Sequence, residues 1–327
     1  MNEQQFGHAG LVSPVDERDY LWSDLGKSAI PFNWNLGYEV SIPFSLKNQG
    51  QVGSCGGQAM SYYGEVLESL ATNSTEERSA KFIYSQVFQP GEGAYMRDLC
   101  AIAINQGWAT EEILPSYENG QLPSRAFMER VSDITDNVKL NATQSQALSY
   151  AMVNRTNIDE VAQAIAHNNG AIILIRGENN GTWLSDYPKV TTGQGEWGHF
   201  LYACGAKLIS GKKYIKIKNS WGDIADHGFQ WLSEDFFTQG YIYEVRTLVF
   251  KDKPVKFIFS KNLNIGMRNG DVLQLQHRLV DEGYATFTPT GYFGVLTGIA
   301  IVKYQKAHGI PNPFPSCGPL TRTELNK

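Results

Sequence analysis

The chain has 327 residues, of which 42% are apolar, 12% aromatic and 19% charged. That composition can bury a core and excludes a disordered tail, and the length suits one large domain with a smaller companion. With 28 basic against 33 acidic side chains the net charge is −5, which excludes a nucleic-acid polyanion as partner of the whole chain, and no apolar run approaches the roughly 20 residues of a bilayer span, so membrane insertion is excluded as well.

Residues 1–29 mix turn formers and charge, as in Ser13-Pro14-Val15-Asp16-Glu17-Arg18-Asp19-Tyr20, without a sustained period. They read as an extended N-terminal arm. Its start, Met1-Asn2-Glu3-Gln4-Gln5-Phe6-Gly7-His8, has neither a basic opening nor an apolar segment, so no secretory signal is visible and localisation stays open. The folded body is expected from Ile30-Pro31. From Cys55 to about Leu70 the apolar positions Ala59, Tyr63, Val66, Leu67 and Leu70 recur at helical spacing, which puts Cys55 on the first turn of an amphipathic helix. Helical patterns follow at about 97–106 and from Ile158 to His167. Beyond them Ala171 to Ile175, Phe200 to Ala206, Tyr214 to Lys218 and Tyr241 to Phe250 are short β-rich runs separated by Gly, Asn and Asp. Helices first and strands second predict an α+β domain over 30–250 with a cleft between its halves. The charged, proline-bearing segment 251–256 is the expected linker. Asp271 to Leu279, Leu296 to Ala307 and Leu320 to Leu325 then predict a small all-α domain of three helices over 257–327. Residues 251–327 hold 10 basic against 5 acidic side chains, and residues 1–250 hold 18 against 28, so the charge divides by domain.

Cys55, Cys100, Cys204 and Cys317 are too sparse for a disulfide scaffold and wrongly spaced for zinc. Each thiol is therefore read alone. Cys100 and Cys204 are expected to be inert core groups, and Cys317, beside Pro315 and Gly318, a loop thiol. A free thiol is only a few per cent thiolate at neutral pH, so a nucleophilic cysteine needs a helix N-terminus, a histidine, or both. Cys55 has the first, after the glycine-rich run Gly50-Gln51-Val52-Gly53-Ser54. Gln49, six residues upstream, is placed to donate its amide to an oxyanion together with the Cys55 N–H. His199 opens a strand in Gly198-His199-Phe200-Leu201-Tyr202, and Lys218-Asn219-Ser220-Trp221-Gly222 follows the next strand. His8, His167, His227, His277 and His308 have no partner at catalytic or metal spacing and are assigned surface or packing roles, so no metal is expected.

Together these three segments resemble the papain-like cysteine peptidases, in which a glutamine precedes the nucleophilic cysteine by six positions and a histidine and an Asn-Ser-Trp-Gly follow. His199 lies 144 residues after Cys55 and Asn219 lies 164 after it, against an expected span of roughly 130–150; one additional loop accounts for the excess. The resemblance implies a two-subdomain fold with Cys55 as nucleophile, His199 as base and acid, and Asn219 orienting the imidazole. It also implies Gln49 at the oxyanion site and Trp221 shielding the Asn–His bond. Ile30-Pro31-Phe32-Asn33-Trp34 is similar to the start of the mature family domain. Glu92-Gly93-Ala94-Tyr95 resembles the family's substrate-binding segment, which implies backbone pairing at Gly93 and Ala94 and a side-chain pocket at Tyr95; Gly198 and Trp221 complete the implied substrate-binding set. Asp16-Glu17-Arg18-Asp19 resembles a stretch ahead of the domain in bacterial and viral relatives. Val52, Gly56 and Gly198 depart from the family pattern, the first removing a usual disulfide partner. The arm is too short to be a large inhibitory propeptide, yet long enough to lie in the cleft.

Residues 257–327 carry a second resemblance. Gly270-Asp271-Val272, Leu275-Gln276, Gly291-Tyr292-Phe293-Gly294, Leu296-Thr297, Tyr304-Gln305 and Gly318-Pro319-Leu320-Thr321 are similar to the peptidoglycan-binding three-helix domain, whose repeated elements cap and join its helices. The two resemblances imply a cofactor-free cysteine endopeptidase acting on a peptide or protein substrate and localised by a cell-wall-binding module. The alternatives are a lysin that cleaves the peptides of peptidoglycan and a non-catalytic wall-binding protein on a peptidase scaffold.

Overall fold

A computed structural model describes residues 3–17, 19–25, 31–42, 44–249 and 259–326. Contacts divide the chain into two compact units, Met1–Trp34 with Glu39–Lys253, and Asn35–Tyr38 with Pro254–Lys327. The expected linker at 251–256 and the expected domain starts at residues 30 and 257 lie outside the described residues.

In the first unit the arm is more ordered than its lack of period predicted. It holds 3-10 turns at Glu3–Gln5 and Trp22–Leu25 and a short strand at Gly10–Leu11 (β1), because it packs on the body rather than on itself. A two-residue strand at Tyr38–Glu39 (β2), where the chain passes from the second unit back into the first, precedes the helical half. That half comprises Cys55–Thr72 (α1), Ala80–Tyr84 (α2), the strand Ala94–Tyr95 (β3), Met96–Asn105 (α3), Arg125–Met128 (α4) and Asp136–Ala142 (α5). Helices α2, α4 and α5 are too short to show a period, but each is announced by a cap: Ser79, Ser124 and Thr135 accept from the N–H groups of Phe82, Phe127 and Val138.

The second half begins with Ser149–Met152 (β4) and Ile158–Asn168 (α6). It continues through Ala171–Asn179 (β5), Gln194–Ile209 (β6), Lys212–Lys218 (β7), Phe229–Ser233 (β8), Glu234–Thr238 (α7) and Ile242–Val249 (β9). The strands order β4-β9-β5-β6-β7-β8, with every neighbouring pair antiparallel. Thus the expected α+β architecture is present. Helix α1 packs on this sheet, where Tyr63 meets Tyr202 at 5.2 Å between rings and its hydroxyl donates to the Gly170 carbonyl at 2.7 Å. The Asn-X-Thr triplets at Asn154 and Asn180 fold as local turns, each Asn side-chain oxygen accepting from the Thr two residues on.

The second unit consists of Leu263–Asn264 (β10), Gly270–Asp281 (α8), Val295–Ala307 (α9), Ser316–Cys317 (β11) and Pro319–Leu325 (α10). Val272, Leu275, Leu279, Phe293, Ile301, Tyr304 and Leu325 form its core. The two motif glutamines do the same work twice. Gln276 donates to the Tyr292 carbonyl and the Thr297 hydroxyl and accepts from the N–H groups of Thr290 and Gly291. Gln305 donates to the Ser316 carbonyl and the Thr321 hydroxyl and accepts from the Phe314 N–H. Each buried amide therefore satisfies the loop that leads into the following helix. Cys317 corrects an expectation: it is not a loop thiol but a buried strand residue opposite Leu263, and burial pushes its thiol up to about 12.

One buried ion pair fixes the segment that leads to Cys55. Lys47 and Glu65 meet at 2.6 Å with side chains 3% and 7% exposed; burial depresses the Lys47 pKa, and the Glu65 carboxylate more than restores it. Glu65 also accepts from the Arg78 N–H and the Ser45 hydroxyl, so its charge is fully compensated. Glu65→Ala leaves the Lys47 ammonium buried and unpaired. Chemical denaturation is expected to show a loss of about 3–5 kcal/mol, whereas removal of an exposed charge, as in Lys139→Ala, stays within about 0.5 kcal/mol.

Candidate active site

Cys55 opens α1 and is fully buried. Burial pushes its thiol pKa up, against the backbone N–H groups of Phe200, Ala9, Gly56 and Cys55 itself, which favour the thiolate. Two of those donors belong to the helix start, as the position of the cysteine predicts. A third, Phe200, is the residue after His199, so the thiol lies beside the strand that carries the histidine.

Strand β6 supplies His199 and β7 leads to Asn219. Tyr202 faces Lys218 across the pair, so the chain leaving β7 emerges near the start of β6, and His199 Nε2 stands 2.9 Å from Asn219 Oδ1. The orientation of that amide is set from behind. Asn219 Nδ2 donates to Gln230 Oε1 at 2.9 Å, and Gln230 donates in turn to the carbonyls of Trp183 and Ser185. An oxygen facing Nε2 requires the proton on that nitrogen in the neutral ring, which leaves Nδ1 as acceptor. Nδ1 is buried with no hydrogen-bond partner, sulfur included, among the described residues, so its lone pair is not engaged elsewhere. Trp221 covers the imidazole with ring centroids 4.8 Å apart.

Gln49 is held by the same motif. Its backbone N–H donates to the Ser220 carbonyl, and the Gly222 N–H donates to the Lys47 carbonyl. Ser220 Oγ donates to Gln49 Oε1 at 2.6 Å, which turns Nε2 toward the carbonyls of Gly7 and Val52 at 3.0 and 2.7 Å. Ser220 and Gln230 were missed as supporting residues. Ser220 was legible as a polar side chain inside the Asn-Ser-Trp-Gly motif, whereas Gln230 lies on a later strand and carried no signal.

The remaining sequence-predicted residues meet the chain's own arm. β1 pairs in parallel with β3, Gly10 opposite Ala94 and Leu11 opposite Tyr95, and the Ala94 N–H donates to the Ala9 carbonyl. At Gly93, with φ +95°, a Cβ would stand 2.1 Å from the Ala9 oxygen, and at Gly198 one would stand 2.2 Å from the Gly10 oxygen. Both glycines let a second backbone approach to contact distance. Before these residues, the Glu3 carboxylate accepts from the N–H groups of Trp183 and Gly181. Phe6 stacks on Trp221 at 4.9 Å, and the Gly7 N–H donates to the Gly50 carbonyl. His8 sits 4.2 Å from Trp197, 5.2 Å from Trp221 and 6.0 Å from His199. It is thus a packing histidine, but one packed on the candidate site. Trp197 was missed; it lies two residues before His199 and shares that face of β6.

Farther along, the Ser13 N–H donates to Glu244, and Asp19 closes a buried clasp with Arg97 at 2.7 Å, Arg246 at 3.0 Å and the Tyr150 hydroxyl. Burial alone would raise the Asp19 pKa, but the two guanidiniums and the phenol hold it far below the carboxylate range. The dry cleft has the opposite effect on the histidines. Burial lowers His199 to about 3, helped by His8 and opposed by the Asn219 bond, and burial lowers His8 to about 4. With the arm in place, thiol and imidazole are both neutral at neutral pH.

The fold is that of the papain-like cysteine proteases. Xylellain, a cysteine protease from Xylella fastidiosa, superposes with a TM-score of 0.64 at 17% identity over 76% of this chain and 97% of its own. Procathepsin B S9 from Trypanosoma congolense gives 0.57 at 9% over 76% and 88%, and digestive procathepsin L 3 of Tenebrio molitor larval midgut gives 0.53 at 15% over 76% of each chain. Residues 268–313 match the family model "Putative peptidoglycan binding domain", in keeping with the predicted small helical domain. No protein of curated function matches the chain by sequence. Among the described residues no helix is long and apolar enough to cross a membrane, and no group of three or more His, Cys, Asp or Glu is arranged to hold a metal.

The His8 shift sets a pH dependence for the arm. A docked pKa of about 4 against an ordinary 6.5 means that the undocked arm binds the extra proton, so the His8 contribution to docking is complete above pH 6.5 and is lost as the pH falls toward 4. His199 and Cys55, the titratable groups facing it, stay neutral across that window while the arm is docked. Between pH 7 and pH 5 the protection of the Gly7 amide in hydrogen exchange, corrected for the intrinsic rate, is expected to fall at least about twentyfold. His8→Phe keeps the ring packing without the titration and should remove the His8 share of that dependence, leaving the share of His199, whose burial is relieved when the arm leaves.

Proposed function

We propose that the chain is a papain-like cysteine endopeptidase acting on peptide or protein substrates, latent while its arm occupies the cleft, and localised to bacterial peptidoglycan by residues 257–327. The observation that carries the reading is the His199–Asn219 hydrogen bond, which points the free Nδ1 of the ring away from Asn219 while Cys55 lies at a helix N-terminus beside Phe200. The peptidase domain is taken as residues 30–250, with 251–256 as linker.

Once the arm leaves, water and substrate enter and the desolvation that keeps the pair neutral is relieved. The Cys55 proton moves to His199 Nδ1, and the helix N-terminus stabilises the thiolate. The thiolate attacks the substrate carbonyl, and the oxyanion is taken by Gln49 Nε2 and the Cys55 N–H, the amide that now holds the Gly7 carbonyl. His199 returns its proton to the leaving amine, which gives a thioester, and then activates water to release the acid. A neutral Asn219 orients the ring without drawing the proton from the sulfur side. Gly93, Ala94 and Gly198 present backbone edges to the substrate, as they do to Ala9 and Gly10, with Tyr95 and Trp221 flanking them.

Two measurements test the reading. Asp19→Asn weakens the clasp, so alkylation of Cys55 by a small epoxide and hydrolysis of a fluorogenic peptide library should both rise at least about tenfold, a change of about 1.4 kcal/mol in the closed-to-open balance. Cys55→Ala should abolish both. Alkylation no faster than that of free cysteine, with no peptide cleavage in either the wild type or Asp19→Asn, would return the protein to a non-catalytic wall-binding role. Cys55-dependent clearing of purified peptidoglycan would identify the substrate as the wall peptides themselves.

A further inference from the structure

Helix α9 departs from the rule for a surface helix. Ala300, Ile301 and Tyr304 pack into the core of the second unit, so the opposite side should be polar. Instead it presents Val295, Leu296 and Ile299, exposed to 70%, 63% and 50%, and continues through the half-buried Val302. Residues 295, 299 and 302, and residues 296, 299 and 303, follow spacings of three and four and share one face. Contiguous exposed apolar surface of this kind marks an interaction site.

Cations bound the strip at both ends. Lys303 and Lys306 are exposed at its C-terminal end, and no ion pair among the described residues engages either. At the other end Tyr292, 41% exposed, precedes the helix, and the Arg268 guanidinium stands 5.1 Å from its ring centroid. From Val295 to Lys306 the face is about 17 Å long at 1.5 Å per residue. An extended pentapeptide spans about the same distance.

We infer that this face of α9 docks the peptide stems of peptidoglycan. The methyl groups of stem alanines cover Val295, Leu296 and Ile299, and the free stem carboxylates pair with Lys303, Lys306 and Arg268. This rests on the wall-binding reading of the second unit, whose family match at 268–313 contains all six residues. Charge complementarity selects the occupant: residues 251–327 carry 10 basic against 5 acidic side chains, and the stems combine negative charge with short apolar groups. A neutral glycan strand would call for a row of aromatic platforms, and the strip has one, Tyr292.

The test is pelleting of the full-length chain with purified sacculi at low salt, in competition with soluble stem peptides or with the soluble stem-free glycan strands that an amidase releases. Wild type is expected to pellet with intact sacculi and to be displaced by the stem peptides but not by the glycan strands. Leu296→Asp and Ile299→Asp should each raise the apparent Kd about tenfold. Lys303→Glu combined with Lys306→Glu should weaken binding and flatten its salt dependence. Leu320→Asp, on exposed α10 surface, is the control and should bind as wild type does. Thermal unfolding confirms that each variant is folded, and Val295→Lys replaces either Asp variant that is not. Wild-type binding by the strip variants, or displacement by stem-free glycan strands and not by stem peptides, overturns the inference. So does a wild-type dimer that the strip variants dissociate, because the occupant is then a second copy. Failure of the wild type to bind intact sacculi at all removes the wall-binding reading itself.

Discussion

The site depends on the orientation of one side-chain amide. Asn219 is fully buried, and a buried amide must satisfy both its oxygen and its nitrogen. Gln230 takes the nitrogen, which leaves the oxygen to His199 Nε2. Were the amide reversed, its N–H would face Nε2 across 2.9 Å, so that nitrogen would have to accept and Nδ1 would carry the proton instead of the lone pair. Gln230 is anchored by two backbone carbonyls of the Trp183–Ser185 loop, so the tautomer of the histidine is set through that loop. Ser220 carries out the equivalent task for Gln49. One motif thus orients both the proposed base and the proposed oxyanion donor.

The arm acts on this arrangement through water as much as through contact. Glu3, Phe6, Gly7, His8 and Ala9 fill the cleft, and with solvent gone the charged forms of Cys55 and His199 both become costly. The pair proposed to exchange a proton is held with the proton in place. The Gly7 carbonyl also engages the Gln49 amide, the same donor assigned to the oxyanion. Occlusion, neutralisation and occupation of the donor are three consequences of seating one extended segment.

Much of this was legible in the sequence because it rests on residues near in the chain or on fixed motif order. The helix start at Cys55, the strand at His199 and the turn at Asn219 follow from periodicity and glycine placement. The paired glutamines of the second unit sit in repeated Leu-Gln and Tyr-Gln elements. What stayed hidden depends on distant pairing. Arg246 reads as one charge in a β-rich run, and nothing local says that it meets Asp19 more than two hundred residues earlier. Trp197 and Gln230 gain their roles from the register of β6 and β8, and the arm, which lacks a period of its own, takes its shape from the surface that holds it. Helices α2, α4 and α5 were missed because four to seven residues do not complete enough turns to show a repeat.

The two ends of the arm are built to different purposes. Asp19 is gripped by two guanidiniums and a phenol in a nearly dry pocket, where the carboxylate stays ionised through any ordinary pH and its partners cannot lose their charge. The cleft segment is held instead by ring stacking, backbone bonds, a neutral histidine and the two N–H bonds to the Glu3 carboxylate, without a guanidinium among the partners described. The cleft segment therefore opens first, while the clasp keeps it tethered. A tethered segment returns by an intramolecular step, and its effective concentration is set by the short chain between Ala9 and Asp19. Weak contacts then suffice to keep the cleft filled. That is why an arm of this length can do what a free peptide of the same sequence would do only at high concentration, and why the Asp19 clasp, remote from the thiol, governs its accessibility.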